Sequence, residues 1–150
     1  MELWELVARE SIRDLVARYN ANGDSGRFDD LLVVFADDAV MELVSAGGEV
    51  HRYEGVDEIA TIFTGTKAAW DTEAAGRTGP HYVRHFVATH QIDLEDETHA
   101  RGRSYFVVLM PHGVDHWGRY VDRYGVRQGR WLITSRRAIS DGQAPGAPFT

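Results

Sequence analysis

With 150 residues, 43% of them hydrophobic and 11% aromatic, the chain can fill one core and reads as a single domain over 1–150, with its core at about 3–140 and a tail at 141–150. Its 23 acidic residues outnumber 16 basic ones for a formal charge of −7, and Lys67 is the only lysine, so no nucleic-acid partner is expected. With no cysteine, disulfides, thiolate zinc sites and cysteine nucleophiles are excluded; with no apolar run of membrane length and no signal-peptide pattern in MELWELVARE, the expectation is a cytoplasmic protein without a membrane partner.

Residues 3–20 carry apolar side chains at helical period, with Ile12, Leu15, Val16 and Tyr19 at i, i+3, i+4 and i+7. This predicts a long first helix that turns Tyr19 inward, ends at Asn22-Gly23 and leaves Asp24 just beyond the break. A second helix is expected from Asp24 or Ser25, carrying Phe28, Leu31, Leu32 and Phe35 inward and stopping at Asp37-Asp38 before a short strand at 40–44. Ala46-Gly47-Gly48 reads as a turn, 50–53 as a hairpin partner, and Gly55-Val56-Asp57-Glu58 as the start of a third helix that buries Ile59, Ile62 and Phe63. Residues 71–80 read as a loop. Beyond it, 81–94, 100–110, 117–127 and 131–139 are extended runs rich in β-branched and aromatic residues, separated by short turns, which predicts an antiparallel meander. Helices gathered before a large antiparallel sheet give an α+β fold, the curved sheet forming a cone around the N-terminal helices. The last ten residues, DGQAPGAPFT, have the composition of a tail, with Phe149 as its one large apolar side chain.

Alternation along 81–94 places His81, Val83, His85, Val87 and Thr89 on one face and Arg84, Phe86, Ala88, His90 and Ile92 on the other. Neither face is purely apolar, so alternation does not say which one enters the core. His85 is the most informative of the seven histidines, lying just inside a strand of mostly buried character. An imidazole beside a buried carboxylate such as Asp24 is held in one tautomer and makes a competent general base. A nearby tyrosine, Tyr19, can assist at an oxygen as charge develops there. Together these groups suit removal of an acidic C–H proton followed by elimination.

Each of these residues also has a plainer role open to it. Asp24 can cap the second helix, Tyr19 can be a core residue with its hydroxyl at the edge, and His85 can be structural. In Ser135-Arg136-Arg137 the two arginines face opposite ways, and the inward one requires a carboxylate partner or an anionic substrate group. No metal site is expected. His81 and His85 share a face but stand about 13 Å apart at ~3.3 Å per residue, and His90 lies on the other face. His112 and His116, with Asp115 between them, can converge around a tight turn, but read as a solvated loop. There is no glycine-rich phosphate loop and no serine in a nucleophile elbow.

The segments IRDLVARYNANGDSGRFDDLLVVFADDAVMEL, EGVDEIATIF, HYVRHFVATHQIDLED and GRWLITSRRAI, in that order, resemble the SnoaL-like members of the nuclear transport factor 2-like superfamily. The resemblance spans about 12–139 and is nearest to the branch holding scytalone dehydratase, hexachlorocyclohexane dehydrochlorinase and bile acid 7α-dehydratase. It implies a cystatin-like α+β barrel, with Asp24 and His85 as an Asp-His dyad, Tyr19 as a further catalytic group and Arg136 as a substrate-binding pocket arginine. It further implies a hydrophobic small-molecule substrate, no cofactor and no metal, and a homo-oligomer, trimer before dimer. One departure stands out: 104–110 has no histidine or aspartate at its middle, where two of these enzymes place another polar catalytic group. The general acid is therefore Tyr19 or a group not placed. The function so implied is that of a dehydratase-like lyase acting on a ring-containing molecule. Isomerase or cyclase chemistry in the same pocket, and a non-catalytic binding or structural subunit, are the alternatives.

Overall fold

The computed structural model of the protein describes residues 1–76 and 79–147. Its first helix, α1 (Leu3–Asp24), buries Ala8, Ile12, Leu15, Val16 and Tyr19, the stripe that the sequence spacing predicts. The helix does not stop at Asn22-Gly23. It closes around Gly26, whose φ is +71°: the Gly26 N–H donates to Gly23 O at 3.2 Å and the Arg27 N–H to Asn22 O at 2.9 Å. That pair of bonds is a Schellman closure, which favours glycine at the left-handed position. The extension carries Asp24 into the last helical turn. Gly23 serves packing instead, since a Cβ there would stand 3.2 Å from Leu31 Cδ1.

The second helix, α2 (Phe28–Leu32), is shorter than expected, and β1 (Phe35–Val44) starts five residues earlier than expected. The run Leu31 to Phe35 is β-branched and aromatic at its end, and the Ile133 N–H donates to Val34 O at 2.8 Å, so pairing with the last strand overrides the helical spacing. Phe35 is buried as expected, but from a strand. Asp37-Asp38 falls inside β1, at a register shift against that last strand, and does not terminate a helix. β2 (Val50–Glu54) returns antiparallel to β1. The third helix, α3 (Val56–Ala74), buries Ile59, packs on β1 and β2, and occupies the first part of the segment read as a loop. Residues 77–78 of that loop lie outside the described residues.

Strands β3 (Arg84–Leu94), β4 (His99–Met110), β5 (Gly113–Arg127) and β6 (Arg130–Gln143) form the expected antiparallel meander. β6 runs three residues into the expected tail, while Phe149 lies outside the described residues. β6 then pairs parallel with β1, placing Arg136 beside Met41, so one junction departs from the all-antiparallel sheet expected. A hairpin forces neighbouring strands to run antiparallel, whereas β1 and β6 are joined through a long crossover that leaves the direction free. The sheet order is β2-β1-β6-β5-β4-β3; the sheet is curved and unclosed, and α1 packs against β3 and β6. Among the described residues no helix is long and apolar enough to cross a membrane.

Two bulges decide which side chains face the helices. Thr89 has φ +55°, and the β3–β4 register jumps between Ala88 and Gln91. Strict alternation put His85 and His90 on opposite faces. The extra residue inverts the parity beyond it, so His85 and Val87 ahead of the bulge and His90 and Ile92 after it all turn toward the core. In β5 the register passes from Val108–His116 to Leu109–Val114, leaving Asp115 as the extra residue.

Candidate functional site

Between α1, α3 and the inner face of the sheet lies a cavity of about 520 Å³. Its walls are mostly apolar, among them Leu31, Leu43, Phe63, Trp70, Val83 and Phe106. Tyr19, Asp24, His85 and His116 bring polar atoms to it. An apolar cavity with a few convergent polar groups is the usual form of a small-molecule site.

Asp24 and His85, separated by sixty-one positions, meet at its wall. Asp24 Oδ1 stands 2.6 Å from His85 Nδ1, and Oδ2 accepts the His85 backbone N–H at 2.7 Å. His85 lies at the start of an edge strand, where an outward N–H has no neighbouring strand to bond, and the carboxylate supplies the missing acceptor. The side chains are 10% and 24% exposed, so the pair is sheltered yet reachable from the cavity. With Nδ1 committed to Asp24, Nε2 is the ring nitrogen left for a bound molecule. Asp24 caps no helix: α2 follows Arg27 and has no side-chain cap.

Tyr19 is both a core residue and part of the cavity lining. Its ring meets Phe35, Phe63 and Tyr120 edge-on at centroid distances of 5.9, 6.0 and 5.9 Å. Burial raises the pKa of its hydroxyl, with the Arg136 charge working against that rise, so the phenol stays a neutral hydrogen-bond donor.

Arg136 is placed differently from the pocket position expected of it. It is fully buried and does not line the cavity. Its Nε and Nη2 donate to Asp122 Oδ1 and Oδ2 at 2.9 and 2.8 Å, a bidentate pair. Its guanidinium carbon sits 4.2 Å from the Tyr19 ring centroid and 4.0 Å from that of Tyr120. Burial opposes its charge, but the Asp122 carboxylate outweighs burial and holds its pKa above the ordinary arginine value. The inward arginine has thus found its carboxylate in Asp122, and it underpins the two tyrosines from beneath the cavity wall. Tyr124 adds a hydrogen bond to Asp122 Oδ2 at 2.8 Å, and Tyr120 donates to Asn20 on α1 at 3.0 Å.

The sequence reading missed the region around Asp115. Far from a solvated loop, the Asp115 side chain is 0% exposed. His116 Nδ1 meets Asp115 Oδ2 at 2.7 Å, and His112 Nε2 lies 3.0 Å from Oδ1 but off the line of a hydrogen bond, leaving Oδ1 without an aligned donor. His116 reaches the cavity, and its ring stands edge-on to that of His85 at 6.3 Å between centroids. The Phe106 ring lies 6.1 Å from His85 and 6.2 Å from His116, and stacks on Tyr120 at 4.7 Å. The signal present in the sequence was His112 and His116 spaced around one aspartate beside Pro111 and Gly113. Placing that aspartate inside required the bulge.

The sequence matches the SnoaL-like domain over residues 4–137. The chain belongs to the SnoaL-like family. Its fold is accordingly that of the nuclear transport factor 2-like superfamily. Among solved structures this SnoaL-like chain is similar to the β subunit of a candidate aromatic-ring-hydroxylating dioxygenase from Novosphingobium aromaticivorans, with 20% identity, 93% of each chain covered and a TM-score of 0.74. It is also similar to a candidate scytalone dehydratase from the same organism, with 19% identity, 96% of this chain and 91% of the other covered and a TM-score of 0.72. A third neighbour is a hexachlorocyclohexane dehydrochlorinase from Novosphingobium barchaimii, with 18% identity, 100% and 99% covered and a TM-score of 0.71. At such identities the likeness is one of fold. No curated protein matches the sequence.

Proposed function

We propose that the protein is a dehydratase-like lyase that acts on a hydrophobic, ring-containing small molecule, removing a proton from carbon and expelling a neighbouring group. The observation that carries this reading is the Asp24–His85 pair set in the wall of an apolar cavity. His85 Nε2 takes the proton, Asp24 fixes the ring and balances the imidazolium charge, and Tyr19 hydrogen-bonds an oxygen as it gains charge. General-base help of this kind accounts for roughly 10²–10⁴-fold in rate. None of these steps calls on a cofactor or metal. Arg136 contributes by bracing Tyr19 and Asp122 rather than by touching the substrate.

Membership of the SnoaL-like family and the two neighbours described as a dehydratase and a dehydrochlorinase support an eliminating enzyme. The resemblance also favours a homo-oligomer, trimer before dimer, which sedimentation equilibrium measures directly. A purely structural subunit, the reading suggested by the dioxygenase neighbour, would be expected to have its cavity filled by side chains, and this cavity is open. Isomerisation or cyclisation begins with the same proton removal, and product analysis distinguishes it from elimination.

The test uses 1-indanone in D₂O, following loss of its α-proton signal by NMR. The wild type is expected to catalyse exchange, and Asp24→Asn and His85→Gln each to slow it by about 100-fold or more. If both variants exchange at the wild-type rate, the reading is wrong.

A further inference from the structure

We propose that His116, positioned by Asp115, is the general acid of this site, and that the substrate therefore loses a hydroxyl group, as water, rather than a halide. This rests on the reading of His85 as the base.

A hydroxide leaves carbon poorly unless it is protonated as the C–O bond breaks, whereas a halide departs without a proton. An enzyme for a hydroxylated substrate thus needs a second proton-transfer group, and Tyr19 is poorly suited because burial holds its proton tightly. His116 has the required placement. It lines the same cavity as His85, its ring centroid 6.3 Å away, so that groups on adjacent carbons of one ring can touch both imidazoles within hydrogen-bond reach of about 3 Å. Its Nδ1 is committed to Asp115, as that of His85 is to Asp24, which leaves Nε2 for the substrate. Asp115 is wholly enclosed, and a buried carboxylate of this kind requires a compensating positive charge close by. The two imidazoles beside it, His116 at 2.7 Å and His112 at 3.0 Å, are the groups placed to supply one. Phe106, lodged beside both imidazoles, keeps the space between them apolar.

In the step so defined, His85 Nε2 takes the proton from the carbon next to a carbonyl, and the C–H electron pair becomes the new C=C bond. The C–O bond at the next carbon breaks, and the departing oxygen receives the Nε2 proton of His116 and leaves as water. His85 ends protonated and His116 neutral, and transfer of that proton back to His116 resets the pair with no net oxidation.

The experiment compares 3-hydroxyindan-1-one with 3-chloroindan-1-one, alongside α-proton exchange of 1-indanone. The expected result is that His116→Gln loses about 100-fold on the hydroxy ketone, at least about tenfold more than it loses on chloride elimination or indanone exchange, whereas His85→Gln loses all three activities. Asp115→Asn keeps the side-chain shape, guards against misfolding of the first variant, and is expected to show the same selective loss. If the wild type exchanges indanone but dehydrates the hydroxy ketone no faster than His116→Gln does, or if His116→Gln loses all three activities equally, the acid assignment falls and the base reading stands. A wild type that does not exchange indanone overturns the base reading, and this assignment with it.

Discussion

Asp24 grips His85 twice, by the ring Nδ1 at 2.6 Å and by the backbone N–H at 2.7 Å, so one carboxylate both orients the imidazole and pins the start of β3 to the end of α1. The two roles separate on substitution. Asp24→Asn can still accept the backbone N–H, but offers its amide or its oxygen to Nδ1 without the negative charge. The expected outcome is a protein that folds, with 1-indanone exchange reduced by about 100-fold or more and a changed His85 tautomer. Nitrogen-15 NMR of the imidazole reads the tautomer, and proton NMR the exchange rate.

Arg136 and Asp122 form a fully buried bidentate pair, and removing either partner leaves a charge without compensation. Arg136→Met and Asp122→Asn are each expected to lower stability by about 3–5 kcal/mol. Because the residues share one interaction, Arg136→Met combined with Asp122→Asn is expected to cost less than the sum of the singles. Urea unfolding of the four proteins measures this, and additive losses would show that the pair is not coupled.

The long helix α1 and the four meander strands were legible because each carries its own periodicity over ten or more residues. What escaped depends on tertiary partners. The end of α1 is set by Gly26 in a left-handed conformation, not by the Asn22-Gly23 dipeptide that looks like a break. The start of β1 is set by its pairing with β6, a hundred positions away. That one of Arg136 and Arg137 turns inward follows from alternation, but the choice of Asp122 as its partner follows from the β5–β6 register, which sets Asp122 directly opposite Arg136. Asp24 and His85 stood out by residue type, while Asp115 and His116 looked like surface because a bulge leaves no trace in composition.

His90 gives the stability a pH dependence. Burial lowers its pKa below the ordinary 6.5 in the folded protein, with Asp122 working in the opposite direction. As pH falls below about 6.5 the unfolded chain takes up this proton before the folded one does, so the unfolded state gains relative stability. The stabilising contribution of neutral His90 is thus complete above about pH 6.5 and declines as pH falls toward its lowered folded value. Urea midpoints at about pH 7.5 and about pH 5.5 are expected to differ less in His90→Gln than in the wild type.

Gly118 allows β5 and β6 to close over the aromatic floor of the cavity. A Cβ at that position would overlap Ile139 O and come within 2.7 Å of Phe106 Cζ. Gly118→Ala is expected to cost about 1–3 kcal/mol through overpacking. It should also slow indanone exchange by displacing Phe106 from beside His85. Thermal unfolding and the exchange assay check the two effects separately, and an unchanged melting temperature would show that the strands yield without strain.

The extra residue at Thr89 means that β3 is read in two frames, odd-numbered side chains inward before it and even-numbered ones after. Deleting that one residue would force the strand into a single frame. Either the half containing His85 would invert and present the imidazole to solvent, or the half containing His90 and Ile92 would, emptying part of the core. A length change of one residue, with every side chain of the candidate site still present in the sequence, would therefore be enough to dismantle either the site or the packing beneath it.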